Sequence, residues 1–366
     1  MHWIDSTRIF KIKRTTQIVF LSVFFALVAC KSFATVANVP AENPATEHEA
    51  YDPAKAILEH IADSHYWHLW GKTSIPLPVI LYTDKGLETF SSAVFDHGKK
   101  TYTGKYHTYG LVEDKVHIIE NGVHSTGSNM FNFSTKFIDF SITKNIVSLW
   151  LSIIILLIVF ISVAGSYKKR HGKAPKGFQS FIEPVIVFVR DDIARPNIGY
   201  KYERYMPLLL TVFFFIWINN MLGLVPVFPG GANLTGNIAV TFVLAVIVMI
   251  VVNVNGNKYY WKHIFTPDVP LWLYPIMWPV ELVGIISRPF ALMIRLFANI
   301  TAGHIIVLSL ISLIFVFKSI AIAPVSVAFV VFMDVLELLV ALLQAFIFTL
   351  LTALFIGTAT EEHHHY

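Results

Sequence analysis

The sequence predicts an all-α polytopic membrane protein of about five transmembrane helices and one membrane-surface helix. Its last two helices are expected to form a long tilted hairpin, and a small α+β or β-rich N-terminal segment outside the cytoplasm precedes the membrane part. Three observations carry this expectation. Only 14% of the 366 residues are charged while 55% are hydrophobic, and mean hydropathy is +0.60; soluble domains are about 25% charged. Residues 205–257 contain no Asp, Glu, Lys or Arg. Beyond Asp268 the only such residues are Glu281, Arg288, Arg295, Lys318, Asp334, Glu337, Glu361 and Glu362. A soluble fold does not cover its surface with so few charges.

The remaining composition narrows the function classes. A net charge of +4, from 28 Lys+Arg against 24 Asp+Glu, implies no general affinity for nucleic acid. The single cysteine, Cys30, excludes an intramolecular disulfide framework and a cysteine-cluster metal site. Charged residues thin out abruptly near Lys144, so the expected units are residues 1–34, 35–144 and 145–366.

Residues 1–34 read as a secretory signal. Arg8, Lys11, Lys13 and Arg14 form a basic start, and residues 17–29 are an apolar core too short to favour a span. Cleavage fits either Ser32-Phe33-Ala34 or a lipoprotein-type box, Leu27-Val28-Ala29-Cys30, that would acylate Cys30. An uncleaved anchor helix is the third option. Residues 35–144 would then lie outside the cytoplasm, with a helix around residues 53–64. Alternating stretches at Thr101–Thr103 and Lys115–Ile119, broken by Gly98, Gly104, Gly110, Gly122 and Gly127, predict short strands and turns. His60, His65, His68, His97, His107, His117 and His124 offer only one well-placed helical pairing, and no carboxylate stands in a recognised ligand spacing, so they are expected to be solvated surface groups rather than a metal site.

Residues 145–166 are long enough to span the hydrocarbon layer, and Lys168, Lys169, Arg170, Lys173 and Lys176 after them put that end in the cytoplasm. Residues 178–192 place Phe178, Phe181, Ile182, Val185, Ile186, Phe188 and Val189 at helical spacing around Glu183 and Arg190, the pattern of a surface helix. Residues 207–227 cross outward, 228–236 turn, and 237–254 cross back to Lys258, Lys262 and His263. Residues 279–317 and 324–357 would be about 58 and 51 Å long as helices. A hydrocarbon layer of about 30 Å therefore forces them to tilt or bend around a turn at 318–323.

These last helices carry ionisable groups at membrane depth, where charge is expensive enough to suggest function. Glu281, Arg288 and Arg295 recur every seven residues, with Asn299 one turn on, so they share a face. A guanidinium cannot shed its charge by deprotonation. Arg295 must therefore face water, a polar cavity or a carboxylate, with Asp334 or Glu337 as partners within the chain. His304 lies about half a turn round from Arg295, on another face, while Glu337 and Gln344 share a face with Asp334 one turn before. A His on one helix and a Glu on its hairpin partner form a titratable pair suited to proton relay, or a buried pair that only locks the hairpin.

The run Arg295-Leu296-Phe297-Ala298-Asn299-Ile300-Thr301-Ala302-Gly303-His304 resembles the hallmark segment of subunit a of F-type ATP synthases. The resemblance extends from Glu281 to Pro289, through Leu343-Gln344-Ala345-Phe346-Ile347-Phe348, to Glu361-Glu362-His363, and takes in Asn219-Asn220-Met221-Leu222-Gly223-Leu224-Val225-Pro226 and the surface helix. It covers about residues 174–363, and the long N-terminal segment departs from the minimal family pattern. The resemblance implies a proton-translocating stator subunit with two half-channels and an essential arginine, Arg295, working against a rotating ring. Gln344 would face that arginine, Asn299 would accompany it, and His304 and Glu337 would be a channel pair. His304, Glu337, Asn233, Thr235 and Asn237 would line the inlet, with Asp334 a weaker candidate. Glu281, Ser287 and Arg288 are weaker candidates for the outlet.

It also implies as partners a ring of small hydrophobic subunits, the peripheral-stalk subunit b, the rest of the ATP synthase complex and lipid. A bacterial inner membrane, with residues 35–144 periplasmic and the C-terminus cytoplasmic, would be the location. No cofactor, metal or catalytic residue is implied, and the chain has no Gly-x-x-x-x-Gly-Lys-Ser/Thr phosphate loop. The alternative is a self-contained secondary transporter or ion channel, which would show internal repeats and paired Gly/Pro breaks; neither is legible here.

Overall fold

A computed structural model describes residues 53–54, 57, 61–70, 73–112, 114–120, 123–126, 137–169, 175–225, 230–266 and 270–361. The expected signal segment and Cys30 lie outside them, as do residues 55, 56 and 58–60 of the helix expected at 53–64, His60 among them; within it, Pro53, Ala54, Ile57 and Ile61 have helical backbone.

Alternating strands open the described chain. β1 (Tyr66–Trp70) pairs antiparallel with β2 (Thr73–Pro76). β3 (Pro78–Thr83) lies between β4 (Gly86–Ser91) and β9 (Phe137–Asp139). β5 (Tyr102–Thr103), β6 (Thr108–Val112), β7 (Lys115–Glu120) and β8 (Val123–Thr126) form an antiparallel meander. Period-two alternation turns Val79, Leu81, Val116 and Ile118 inward with Tyr66, Phe95, Tyr109 and Phe137 to form one core.

Not all the histidines are solvated, contrary to their expected place on the surface. His65 and His107 are buried. The His65 Nδ1 lies 2.8 Å from the Asp114 carbonyl, and the His107 Nε2 lies 2.9 Å from Asp84 Oδ1. Each is held by a partner far along the chain, which spacing does not reveal. His97 is exposed, and among the described residues no three His, Cys, Asp or Glu side chains cluster as metal ligands.

The helices follow. α1 (Lys144–Lys169) starts directly after β9 and ends on Lys168 and Lys169. α2 (Phe178–Phe188) runs through a π-helical turn at Val189–Ala194 into α3 (Arg195–Ile198). There Asp191 pairs with both Arg190 and Arg195 at 2.8–2.9 Å. A 3₁₀ turn at Gly199–Lys201 leads into α4 (Tyr202–Leu224). α5 (Ile238–Val254) is capped by Asn237, whose side chain accepts from the Ala239 amide at 3.0 Å. The segment expected as an inner loop at 258–263 is instead a short helix, α6 (Lys258–Phe265), in which Tyr259, Tyr260 and Trp261 stand between Lys258 and Lys262-His263.

α7 (Tyr274–Phe317) and α8 (Ala323–Thr360) make the hairpin. It turns where Lys318 adopts a left-handed conformation and Ile320–Ile322 form a 3₁₀ turn, and Val307, Ile311 and Val330 pack together. α7 starts at Tyr274, more than a turn before the expected Pro279, because Pro275 occupies the helix start where a missing N–H costs nothing. At 1.5 Å per residue the two helices are about 66 and 57 Å long, so neither stands upright in a hydrocarbon layer of about 30 Å.

Among the described residues four helical stretches are long and apolar enough to cross a membrane, or five when α5 and α6 count as one bent span. Apolar side chains of α1, α2, α4, α5, α7 and α8 share one core. The far end of α8 is tied down twice. The Asn257 side chain donates to the Thr360 carbonyl at 2.8 Å, and a Cβ on Gly357 would collide with the Asn197 carbonyl.

Candidate functional site

The hairpin separates its polar groups onto two faces, as the spacing of seven and nine residues requires. On one face of α7, Arg288, Arg295 and Asn299 are exposed and Glu281 is half-buried. Arg295 has neither Asp334 nor Glu337 as partner: among the described residues no carboxylate lies within 4.0 Å of its guanidinium. One turn on, the Asn299 Nδ2 donates to Gln344 Oε1 of α8 at 2.8 Å. Gln344 is buried, so this bond pins α8 to α7 beside Arg295.

The opposite face is enclosed. His304 Nδ1 lies 3.7 Å from Glu337 Oε1, with side chains 14% and 4% exposed. One glycine makes room for the pair, and a second lies in ordinary contact distance of it. A Cβ on Gly303 would collide with the Glu337 carboxylate, and one on Gly223 of α4 would lie 3.9 Å from His304 Nε2 and 3.5 Å from the Ala232 carbonyl. Asp334, one turn before Glu337, is buried as well.

A polar loop between α4 and α5 lies against this pair. Asn233 and Thr235 are buried despite being polar. The Asn233 side chain accepts from the Gly236 amide at 2.9 Å, and Thr235 donates to Asn220 Oδ1 at 2.7 Å. Asn220 Nδ2 in turn donates to the Ala341 carbonyl of α8 at 3.2 Å. Thr301 of α7 donates to the Gly236 carbonyl at 3.5 Å. Asn220, quoted in the resemblance without a role, is the connecting residue; two adjacent asparagines inside an uncharged helix are its signal in the sequence.

Towards the start of α7 the candidates are looser. Glu281 Oε1 faces His263 Nδ1 at 3.7 Å. The Arg288 guanidinium sits 5.7 Å over the Phe355 ring, at a small cavity of about 20 Å³ that Asn253 and Tyr260 also line. Tyr260 donates to Asn253 Oδ1 at 3.0 Å. Ser287 is exposed and, among the described residues, bonds within its helix, donating to the Gly284 carbonyl at 3.2 Å. Glu281, Ser287 and Arg288 are thus not gathered into one site with His304 and Glu337.

Fold and site together define a class: a polytopic helical membrane protein that holds a fixed cation and an enclosed titratable pair within one long hydrophobic hairpin. The chain belongs to the ATP synthase A chain family, whose family model matches residues 146–357. It is thereby a multi-pass subunit of the proton-translocating membrane sector of ATP synthase. It is 47% identical over 232 residues to ATP synthase subunit a of Chloroherpeton thalassium, a match covering 62% of this chain and 69% of that protein. ATP synthase subunit a 2 of Chlorobaculum tepidum is 46% identical over 231 residues, 61% of this chain and 64% of the relative. ATP synthase subunit a of Myxococcus xanthus is 45% identical over 237 residues, 63% and 76% respectively. A second family model, described as a domain of unknown function (DUF8433), matches residues 56–140.

Proposed function

We propose that this chain is the stator of the membrane sector, giving protons two half-channels that meet at Arg295 and coupling their flow to ATP synthesis. The carrying observation is the division of α7: Arg295 exposed on one face, without a carboxylate among the described residues, and His304 enclosed with Glu337 on the other. A cation that stays charged and faces outward fits a partner whose own carboxyl passes in front of it. We take that partner to be a ring of small hydrophobic subunits carrying one carboxyl each.

A protonated carboxyl crosses lipid cheaply and a carboxylate does not. Beside Arg295 the ionised form is favoured, so the arriving carboxyl releases its proton toward the outlet. The same positive charge opposes a direct leak from inlet to outlet. Asn299 and Gln344 steady the hairpin at that point through their hydrogen bond. His304 and Glu337 relay protons from the inlet, which Asn233, Thr235 and Asn237 line, with Asp334 behind. Arg288 with the Asn253–Tyr260 cavity, Ser287 and Glu281 belong to the outlet. The chain itself carries no catalytic group; ATP is made elsewhere in the complex, to which it is anchored through the ring and the peripheral-stalk subunit b.

The proposed arrangement puts the chain in a bacterial inner membrane, residues 35–144 as a periplasmic unit, residues 145–366 as the membrane domain and the C-terminus in the cytoplasm. The lysines that close α1 support that orientation. The test is Arg295→Ala in the assembled complex. Inverted vesicles should lose ATP-driven acidification while the ring still copurifies with this chain; acidification at the wild-type rate would refute the assignment.

A further inference from the structure

The β unit does not stand clear of the membrane helices. Between them runs a cleft of about 290 Å³, lined by Asp63, Asp139, Thr143, Asn145, Leu234 and Asn237 among others. The first two are carboxylates from the β side. Asp63 Oδ1 accepts from the Asn145 amide at 3.1 Å, and Asp139 Oδ1 from the Ser141 amide at 2.8 Å. The Asp139 Oδ2 lies 4.0 Å from the Nε2 of buried His65. Asn145 is 5% exposed, and its side-chain oxygen, like the Thr143 hydroxyl, has no protein hydrogen-bond partner among the described residues. Buried polar atoms of this kind are satisfied by water when the space is polar and roomy, and this cleft is both.

The opposite wall leads inward. Leu234 and Asn237 belong to the loop that Asn220 and Thr301 hold, and that loop reaches Gly223 at the Ala232 carbonyl, beside His304 Nε2. The α4–α5 part of the membrane wall contributes no charge of its own, since residues 205–257 have none. Among the described residues the charged and titratable neighbours are His65 and Asp114 on the β side, Asp114 accepting from Ser64 at 3.2 Å, and Lys144 at the first turn of α1, whose ammonium reaches the Ala62 carbonyl at 3.5 Å and lies within electrostatic reach of Asp63 and Asp114.

We propose that this cleft is a proton-collecting vestibule of the inlet half-channel, with Asp63 and Asp139 as the groups that take protons from the medium and pass them through water to the Asn237 loop. The inference rests on the inlet role of His304 and Glu337, and it gives the β unit a part in proton supply. Free protons are scarce near neutral pH, and negative charge lining a cleft raises the capture rate of cations by about 10- to 1000-fold, here toward the lower end because Lys144 lies within electrostatic reach of Asp63. Proton delivery to an uncharged loop then depends on the two carboxylates.

The test uses the whole complex in vesicles, with proton uptake from the β-unit side measured against the pH and buffer concentration on that side. Asp63→Asn together with Asp139→Asn keeps the accepting oxygens and removes both charges. Uptake should fall about tenfold in weak buffer at alkaline pH and return to within about twofold of wild type at high concentrations of a small mobile buffer, which replaces the lost carboxylates. Unchanged pH and buffer dependence would overturn the vestibule. In the same assay Glu337→Gln and Arg295→Ala separate the two readings: if these conduct normally the half-channel reading fails, and if they are inactive while the Asp variant is normal only the vestibule fails. If neutralisation reduces assembly, Asp139→Cys in a Cys30→Ser background, labelled after assembly with a bulky membrane-impermeant thiol reagent, should slow uptake; full flux after complete labelling would also overturn it.

Discussion

Gly303 has no side chain where one would strike the carboxylate of Glu337. Helix α7 therefore presents bare backbone to α8 at the residue next to His304, and the 3.7 Å approach of the His304 ring to Glu337 depends on it.

Gly303→Ala should consequently move the Glu337 carboxylate while leaving the hairpin folded. Alanine gains about 1 kcal/mol of intrinsic helix preference over glycine, which offsets part of the clash. The expected result is a complex assembled in normal amount whose proton flux falls about tenfold, a barrier change of about 1.4 kcal/mol. Normal flux would mean the position of Glu337 does not matter to conduction.

Exchange of the pair tests relay against locking. His304→Glu or Glu337→His alone should slow proton flux strongly, and the two together should recover part of it, since either order keeps an acid–base couple between α7 and α8. A swapped pair that restores complex yield without flux would indicate a hairpin lock.

Asn220 is bonded on one side to Thr235 and on the other to the Ala341 carbonyl. Asn220→Leu leaves the buried Thr235 hydroxyl without its acceptor, a loss of about 1–3 kcal/mol, and removes the extra bond to the Ala341 carbonyl. The thermal midpoint of the detergent-solubilised complex should drop, and exchange protection should fall first around residues 230–237. Unchanged protection there would show that the loop is held by other contacts.

A Cβ at Gly357 meets the Asn197 backbone, which has no flexible end to swing aside. Gly357→Ala should therefore destabilise by about 1–3 kcal/mol, as overpacking of a close contact does. Reduced complex yield is the readout, and a variant as stable as wild type would mean α3 can shift away from α8.

The β unit has its own pH dependence. The hydrogen bond from His107 holds the Asp84 carboxyl below the ordinary carboxylate range. A lowered folded-state value means the unfolded chain binds that proton more readily. The contribution is thus present above about pH 4, the ordinary value for Asp, and is lost as pH falls through the lower folded value. Exchange protection of Pro78–Thr83 and Gly86–Ser91 in the full chain should weaken on acidification, and Asp84→Asn should flatten that slope. An identical slope in the variant would assign the effect to other groups.

Hydropathy exposes the membrane helices because apolar runs have no other solution in lipid, and isolated ionisable residues mark Arg295, His304 and Glu337 for the same reason. Pairings across long stretches of chain are not legible. Nothing local to Asn220 indicates Ala341, and nothing local to His65 or His107 indicates Asp139 or Asp84; such residues look like surface groups until the fold closes over them. Helix α6 escapes a reading by pattern because Lys258, Lys262 and His263 give eight residues the charge of a loop. The start of α7 is expected too late because Pro279 looks like a helix beginning, whereas Pro275 is nearer to it.

Arg295 has a consequence for the life of the chain before it has companions. A guanidinium alone near the middle of a bilayer costs about 2.5–3.5 kcal/mol on insertion scales, a sizeable share of a typical folding stability of about 5–15 kcal/mol. If Arg295 works against a partner's carboxyl as proposed, the orphan subunit carries a built-in defect that such a neighbour repairs. Made without its complex, the protein should be degraded quickly, and Arg295→Leu should lengthen its half-life even as it ends function. The residue assigned to coupling would then also be a quality-control mark, distinguishing free subunits from assembled ones.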